Sequence, residues 1–175
     1  MTQPPDATTS EPAATTSEPA ATHGVFGRDS DGHDRWARAL DAESARIARR
    51  GHRASVILID LDGAATDEDL RGSDNAPTVL TRLAQTIRRN TRSADVVVPL
   101  GAVRYGILLI DTDQVLAINF VERIRHACDT WLASKNAGVR LVIGWADARP
   151  GRSVHEALVD AEQALERDRR AIWAS

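Results

Sequence analysis

Residues 54–61 read ASVILIDL, an almost unbroken apolar run rich in β-branched side chains and closed off by Gly51 and Gly63. A run that short, set between two breakers, predicts a strand covered on both faces. Around it the apolar positions switch to helical spacing. Trp36, Leu40 and Ile47 share one side of a helix predicted over 34–50, which Gly51 stops. Val79, Leu80, Leu83, Ala84 and Ile87 give one apolar face to a helix over 76–90, with Pro77 suited to its first turn. Two more strands, about 95–99 and 104–111, are joined tightly through Leu100–Val103, a hairpin containing Gly101. Asp113 is placed to cap a helix over 114–133 whose buried stripe is Ala117, Phe120, Val121, Ile124, Ala127, Cys128 and Trp131. GVRLVIGWA at 138–146 predicts a fourth strand. Pro150 and Gly151 then break the chain, and Val154, Ala157, Leu158, Ala161 and Leu165 mark a last helix over 153–170.

Helix, strand, helix, hairpin, helix, strand, helix is the order of an α/β (α+β) domain. It predicts a mixed sheet of four to five strands with helices packed on its faces. Crossover connections should place parallel strands beside one another, and the hairpin should supply one antiparallel pair. The first residues stand apart from this pattern. TTSEPAA occurs at 8–14 and again at 15–21, and no Leu, Ile, Val or aromatic residue falls within 1–22. With nothing to bury against the entropy of ordering, 1–23 is expected to be a solvated, disordered tail, and 24–172 a single domain.

Composition narrows the function classes. Twenty-two Lys+Arg against twenty-five Asp+Glu leave a net charge of -3, so no bulk basic field exists for nucleic acid or an anionic membrane. Aromatic residues at 4% are too sparse for base-stacking platforms. The single cysteine, Cys128, excludes an internal disulfide, and its place on the helical stripe makes it a core residue first and a reactive thiol second. The histidines are dispersed, without metal-ligand spacing. No apolar run approaches the ~18–20 residues of a bilayer span. The amino terminus lacks the basic-then-apolar layout of a secretion signal, so a soluble cytoplasmic protein is expected.

Chemistry in such an architecture gathers at strand ends and tight turns. Asp60 and Asp62 end the first strand, and Gly101-Ala102-Val103-Arg104-Tyr105 forms the hairpin turn. Arg92-Ser-Ala-Asp95 precedes that turn, with Gly101 six residues beyond Asp95. WARALDAESARIARRGHRASVILIDLDG, this RxxD-to-loop spacing, VRLVIGWA at 139–146 and Ala161-Glu-Gln-Ala-Leu165 occur in the order of the GGDEF domain. From about 24 to 170 the chain resembles that domain, the fold of diguanylate cyclases, which make cyclic di-GMP from GTP.

The resemblance implies a signature loop that has changed. Phosphoryl transfer to a ribose hydroxyl needs Mg²⁺, and Mg²⁺ needs oxygen ligands. Asp60 occupies the place of the family's first metal-binding acid. Val103 stands where the loop's acid belongs, Arg104 replaces the adjacent Glu, and Ala102 replaces the second Gly. Ala65, Glu68 and Pro77 fall where a Lys, a guanine-binding Asn and a guanine-binding Asp are expected, while Arg169 could stand in for a helix Lys. A catalytically inactive member that binds no Mg²⁺ is therefore expected, with Asp60 capping a turn or pairing with an Arg, Arg104 first among candidates.

Arg92 and Asp95 are intact. In the family this pair forms an inhibitory site for cyclic di-GMP, since Arg reaches the guanine O6/N7 edge and a carboxylate accepts from N1–H and N2–H₂. The same residues also suit a plain helix-to-strand connection, Arg92 at the helix C-terminus and Asp95 capping the turn. Two functions stay open: a cyclic di-GMP receptor, and a protein-interaction or dimerisation module without a nucleotide. An active cyclase ranks behind both.

Overall fold

In the computed structural model, residues 29–63, 79–135 and 139–174 are described. The 1–23 repeat, Ala65, Glu68 and Pro77 lie outside them. The described elements run α1 (Asp29–Arg50), β1 (Ala54–Gly63), α2 (Val79–Asn90), β2 (Val96–Pro99), β3 (Arg104–Ile110), α3 (Gln114–Lys135), β4 (Val139–Ala148) and α4 (Val154–Trp173). Each expected element is present, with ends moved by a few residues. The largest shift is at α1, which starts at Asp29 rather than 34.

The strands form a four-stranded sheet in the order β2-β3-β1-β4. All three pairings are antiparallel. Among the described strands the parallel neighbours expected from the crossovers are absent, for a topological reason. The β1–α2–β2 connection does make β1 and β2 point the same way, but β3 lies between them. Likewise β3 and β4 point the same way with β1 between. This is the split βαβ arrangement repeated, each crossover skipping one strand.

β1 lies inside the sheet, and its residues from Ala54 to Leu61 are all buried. Alternation sends Ile57, Ile59 and Leu61 into one core with α2 and α3, and Ala54, Val56 and Leu58 into a second core with α1 and α4. The unbroken apolar run thus reflects two buried faces, each full side chain contributing about 1.5–3 kcal/mol of transfer free energy. Cys128 belongs to the first core, and burial, with Asp129 adding to it, pushes its thiol up to about 12. It is a packing residue, not a nucleophile.

Two close approaches fix the second core. At Gly144 on β4 an added Cβ would lie 2.1 Å from the Ala161 carbonyl oxygen and 2.3 Å from the Leu165 nitrogen, so α4 rests directly on the strand backbone. At Gly106 on β3 it would lie 3.1 Å from the Trp36 ring. α4 opens with a capping box in which the Ser153 hydroxyl accepts from the Glu156 N–H and the Glu156 carboxylate accepts from the Ser153 N–H. As expected, Asp113 caps α3, its Oδ1 accepting from the Leu116 N–H at 3.0 Å. On the outer side of β4, Asp168 of α4 accepts from the Ile143 N–H at 2.8 Å and from Arg125 of α3 at 3.1 Å.

One buried carboxylate is strained electrostatically. Glu43 of α1 is 2% exposed and its Oε1 has no hydrogen-bond partner. Burial raises its pKa; Arg46, 3.4 Å from the other oxygen, and His52 work against the rise, and Asp111 adds to it. A carboxyl whose folded pKa is raised stabilises the fold below its unfolded value, and that contribution is lost as pH rises through the folded value. Glu43→Gln is therefore expected to gain on the wild type as pH rises above the ordinary glutamate range of about 4. Thermal melts of both proteins across that rise read the gap directly, and a gap constant with pH would contradict the assignment.

Candidate functional site

Asp60 and Asp62 lie two apart on β1 and so share a face, the one covered by α4. Antiparallel register sets Arg104 directly opposite Asp60. Asp60 is 5% exposed. Its Oδ2 accepts from Arg104 Nη2 at 2.8 Å and Nε at 3.2 Å, and from Arg169 Nη2 of α4 at 2.8 Å. Arg169 also donates from Nε to Asp62 Oδ2 at 2.9 Å and from Nη1 to the Glu166 carboxylate. Asp60 Oδ1 is buried without a partner. The expected Asp60–Arg104 pairing is thus realised and extended by a second guanidinium.

The rest of the turn offers no carboxylate. Val103 packs against the first core, and its backbone carbonyl accepts from the Leu61 N–H at 3.2 Å. Ala102 is exposed and Gly101 borders open space. Tyr105 points into the core, 3% exposed. Chemically, then, the strand end holds a buried carboxylate, Asp60, paired with two guanidiniums, one of which also binds Asp62 and Glu166. Among the described residues no three His, Cys, Asp or Glu are grouped to hold a metal ion.

Arg92 and Asp95 sit at the other end of β2, in the connection from α2. Asp95 Oδ2 accepts from the Arg92 N–H at 2.7 Å, and Oδ1 accepts from the Ile110 N–H at 3.2 Å. The carboxylate therefore caps the turn, as its structural reading requires, and is held in one orientation. The Arg92 side chain is exposed. Both residues border a cleft of about 50 Å³ shared with Asn90, Thr112, Phe120 and Arg123. Arg123 is fixed there by Nε donation to Asn90 Oδ1 at 3.2 Å and by stacking over Phe120 at 5.7 Å. Sequence reading passed over Arg123. The available signal was its i+3 spacing from Phe120, which puts it at the rim of the buried stripe.

The described fold and both sites meet a known family at this point. The family model for "Diguanylate cyclase, GGDEF domain" matches residues 32–172. The chain belongs to the GGDEF domain family. Among curated proteins it is similar to the probable diguanylate cyclase DgcJ of Escherichia coli K12, 28% identical over 99 residues. That match covers 57% of this chain and 20% of the relative, so this GGDEF protein corresponds to about a fifth of the relative's length. Among solved structures it is similar to the GGDEF domain of DgcB from Caulobacter crescentus in complex with c-di-GMP: TM-score 0.62 at 18% identity, covering 79% of this chain and 84% of that one. The active GGEEF domain of a Vibrio cholerae diguanylate cyclase gives TM-score 0.61 at 24% identity, with 77% and 90% covered. Pseudomonas aeruginosa SiaD, in complex with its activator SiaC, gives 0.62 at 19%, with 79% and 54% covered. At such identities the likeness is one of fold.

Proposed function

We propose that this GGDEF protein is a non-catalytic signalling module that binds cyclic di-GMP, or a closely related guanine nucleotide, across Arg92, Asp95 and Arg123. The observation that carries the reading is the contrast between the two ends of the sheet. At the strand end where a cyclase needs Mg²⁺, Asp60 is buried under Arg104 and Arg169 and Val103 supplies hydrocarbon. A divalent ion there would have to displace two guanidiniums already paired with Asp60, Asp62 and Glu166, and the loop adds no further acid, so the residues as arranged do not fit Mg²⁺. At the other end, Arg92 is exposed beside a second fixed arginine and a carboxylate whose orientation the backbone sets. The cleft itself is too small to enclose a dinucleotide, so the ligand would lie across it with a guanine edge against Arg92 and its phosphate near Arg123.

Isothermal titration of the whole chain with cyclic di-GMP is expected to give saturable binding, weakened about tenfold or more in Arg92→Ala. That is the scale of losing one hydrogen bond to a charged group. Absent heat, or an Arg92→Ala variant titrating like the wild type, would overturn the receptor reading. Incubation with GTP and Mg²⁺ is expected to yield no dinucleotide; turnover would overturn the non-catalytic one.

A second reading, a protein-docking or dimerisation module, draws on a different observation. Val115 (65% exposed), Leu116 and Ile118 leave the first turns of α3 apolar toward solvent, beside the same cleft. Titration without heat, combined with a concentration-dependent mass in light scattering that Val115→Asp abolishes, would favour it.

A further inference from the structure

A larger cleft, about 250 Å³, straddles the outer side of edge strand β2, away from the Arg92–Asp95 end. Asp31, Gly32 and Arg35 of α1 line it from one face of the sheet, Ala84 and Arg88 of α2 from the other. Val97, Pro99 and Tyr105 complete it. Gly32 keeps it open: a Cβ there would lie 2.4 Å from the Pro99 carbonyl oxygen and would push α1 off the strand.

Among the described residues, three donors that line this cleft, on Arg35, Arg88 and Tyr105, have no acceptor. Most arginines described in hydrogen bonds here are held by carboxylates, as Arg104, Arg125, Arg149, Arg152 and Arg169 are. The Arg35 and Arg88 side chains make no ion pair or hydrogen bond among the described residues, and Asp31 pairs with neither. Tyr105 is 3% exposed and its hydroxyl is buried without a partner. Burial raises the phenol pKa while the charge of Arg88, which lines the same cleft, pulls it back. A buried orphan hydroxyl costs free energy unless something accepts from it. Among the described lining residues, two guanidiniums against one acid give a net positive charge.

We infer that this cleft is a binding site for a small organic anion, a carboxylate or phosphate on an apolar body. Arg35 and Arg88 grip the oxyanion from the two rims, the Tyr105 hydroxyl donates a third hydrogen bond, and Ala84, Val97 and Pro99 bed the apolar part. Guanidinium forks match both oxyanions, so the two sources share one recognition chemistry. The site is separate from the proposed cyclic di-GMP shelf and does not depend on it.

Titrations of the isotopically labelled full chain, followed by amide NMR, test it with benzoate, phenyl phosphate and inorganic phosphate as probes. Benzoate or phenyl phosphate is expected to shift the Gly32, Ala84 and Val97 amides saturably, and whichever binds more tightly identifies the oxyanion. Arg88→Gln should weaken that probe about tenfold and Tyr105→Phe about fivefold, the latter with the fold intact because only the hydroxyl leaves. Three results would overturn the inference: no saturable shift up to about 10 mM, affinities unchanged in Arg88→Gln and Tyr105→Phe, or inorganic phosphate binding as well as phenyl phosphate. Benzoate or phenyl phosphate shifting the Arg92 and Asp95 amides in place of Gly32 and Val97 would equally overturn it.

Discussion

The double variant Arg104→Ala/Arg169→Ala is expected to lose about 3 kcal/mol of stability at neutral pH, near the lower end of what breaking a buried ion pair costs. The lower end applies because both guanidiniums are partly exposed, 39% and 26%, while the Asp60 side chain is 7% exposed. Stripping both cations leaves that carboxylate charged, buried and short of donors. Each single variant should lose less, since the remaining guanidinium still reaches Oδ2 at 2.8 Å. At about 2–4 °C per kcal/mol for a domain of this size, the double variant should melt roughly 6–12 °C early. Adding Asp60→Asn to it should recover most of the loss by removing the unpaired charge. A triple variant no more stable than the double would show that the cost lies in lost side-chain packing, not in the stranded carboxylate.

A second large effect is expected at Gly144. The atoms that an alanine methyl would meet, the Ala161 carbonyl oxygen at 2.1 Å, the Leu165 nitrogen at 2.3 Å and its Cα at 2.7 Å, are all backbone. None can turn aside as a side chain would, so α4 must lift from β4 and uncover Ala157, Ala161 and Leu165. Gly144→Ala should cost about 3 kcal/mol, the upper part of the overpacking range. Urea denaturation measures it against Gly101→Ala, where a Cβ meets nothing within 4 Å and the change should stay within about 0.5 kcal/mol. Equal effects at the two glycines would mean that α4 does not sit where it is described.

These two predictions also mark what the amino-acid pattern could and could not reveal. β1 was legible because burial on both faces demands an apolar side chain at nearly every position from Ala54 to Leu61. The helices were legible from one-sided spacing such as Val79, Leu83 and Ile87. The Asp60–Arg104 pair followed once the hairpin strand was allowed to lie beside β1. Strand direction was not legible, because local periodicity is silent about which strand inserts between two others. The first turn of α1 was missed because Asp29-Ser-Asp-Gly-His has no apolar face and Gly32 is a poor helix former; its place is set by close contact with Pro99. Nothing in the local pattern of 138–146 singles out Gly144, since the helix that needs its bare backbone lies distant in sequence. Arg169 was visible as a cation, but its reach to Asp60 and Asp62 depends on how α4 docks.

The Asp168 carboxylate on the flank of β4 has a consequence for self-association. A four-stranded sheet has two margins, and a bare margin is an invitation for a foreign strand to zip on. Along β4 the Ile143 amide is already taken by Asp168, and Arg125 locks that carboxylate from the opposite helix layer. A visiting strand would have to evict a charged clasp before forming its central rung. Copies of this protein that meet should therefore not join strand to strand at this rung of β4.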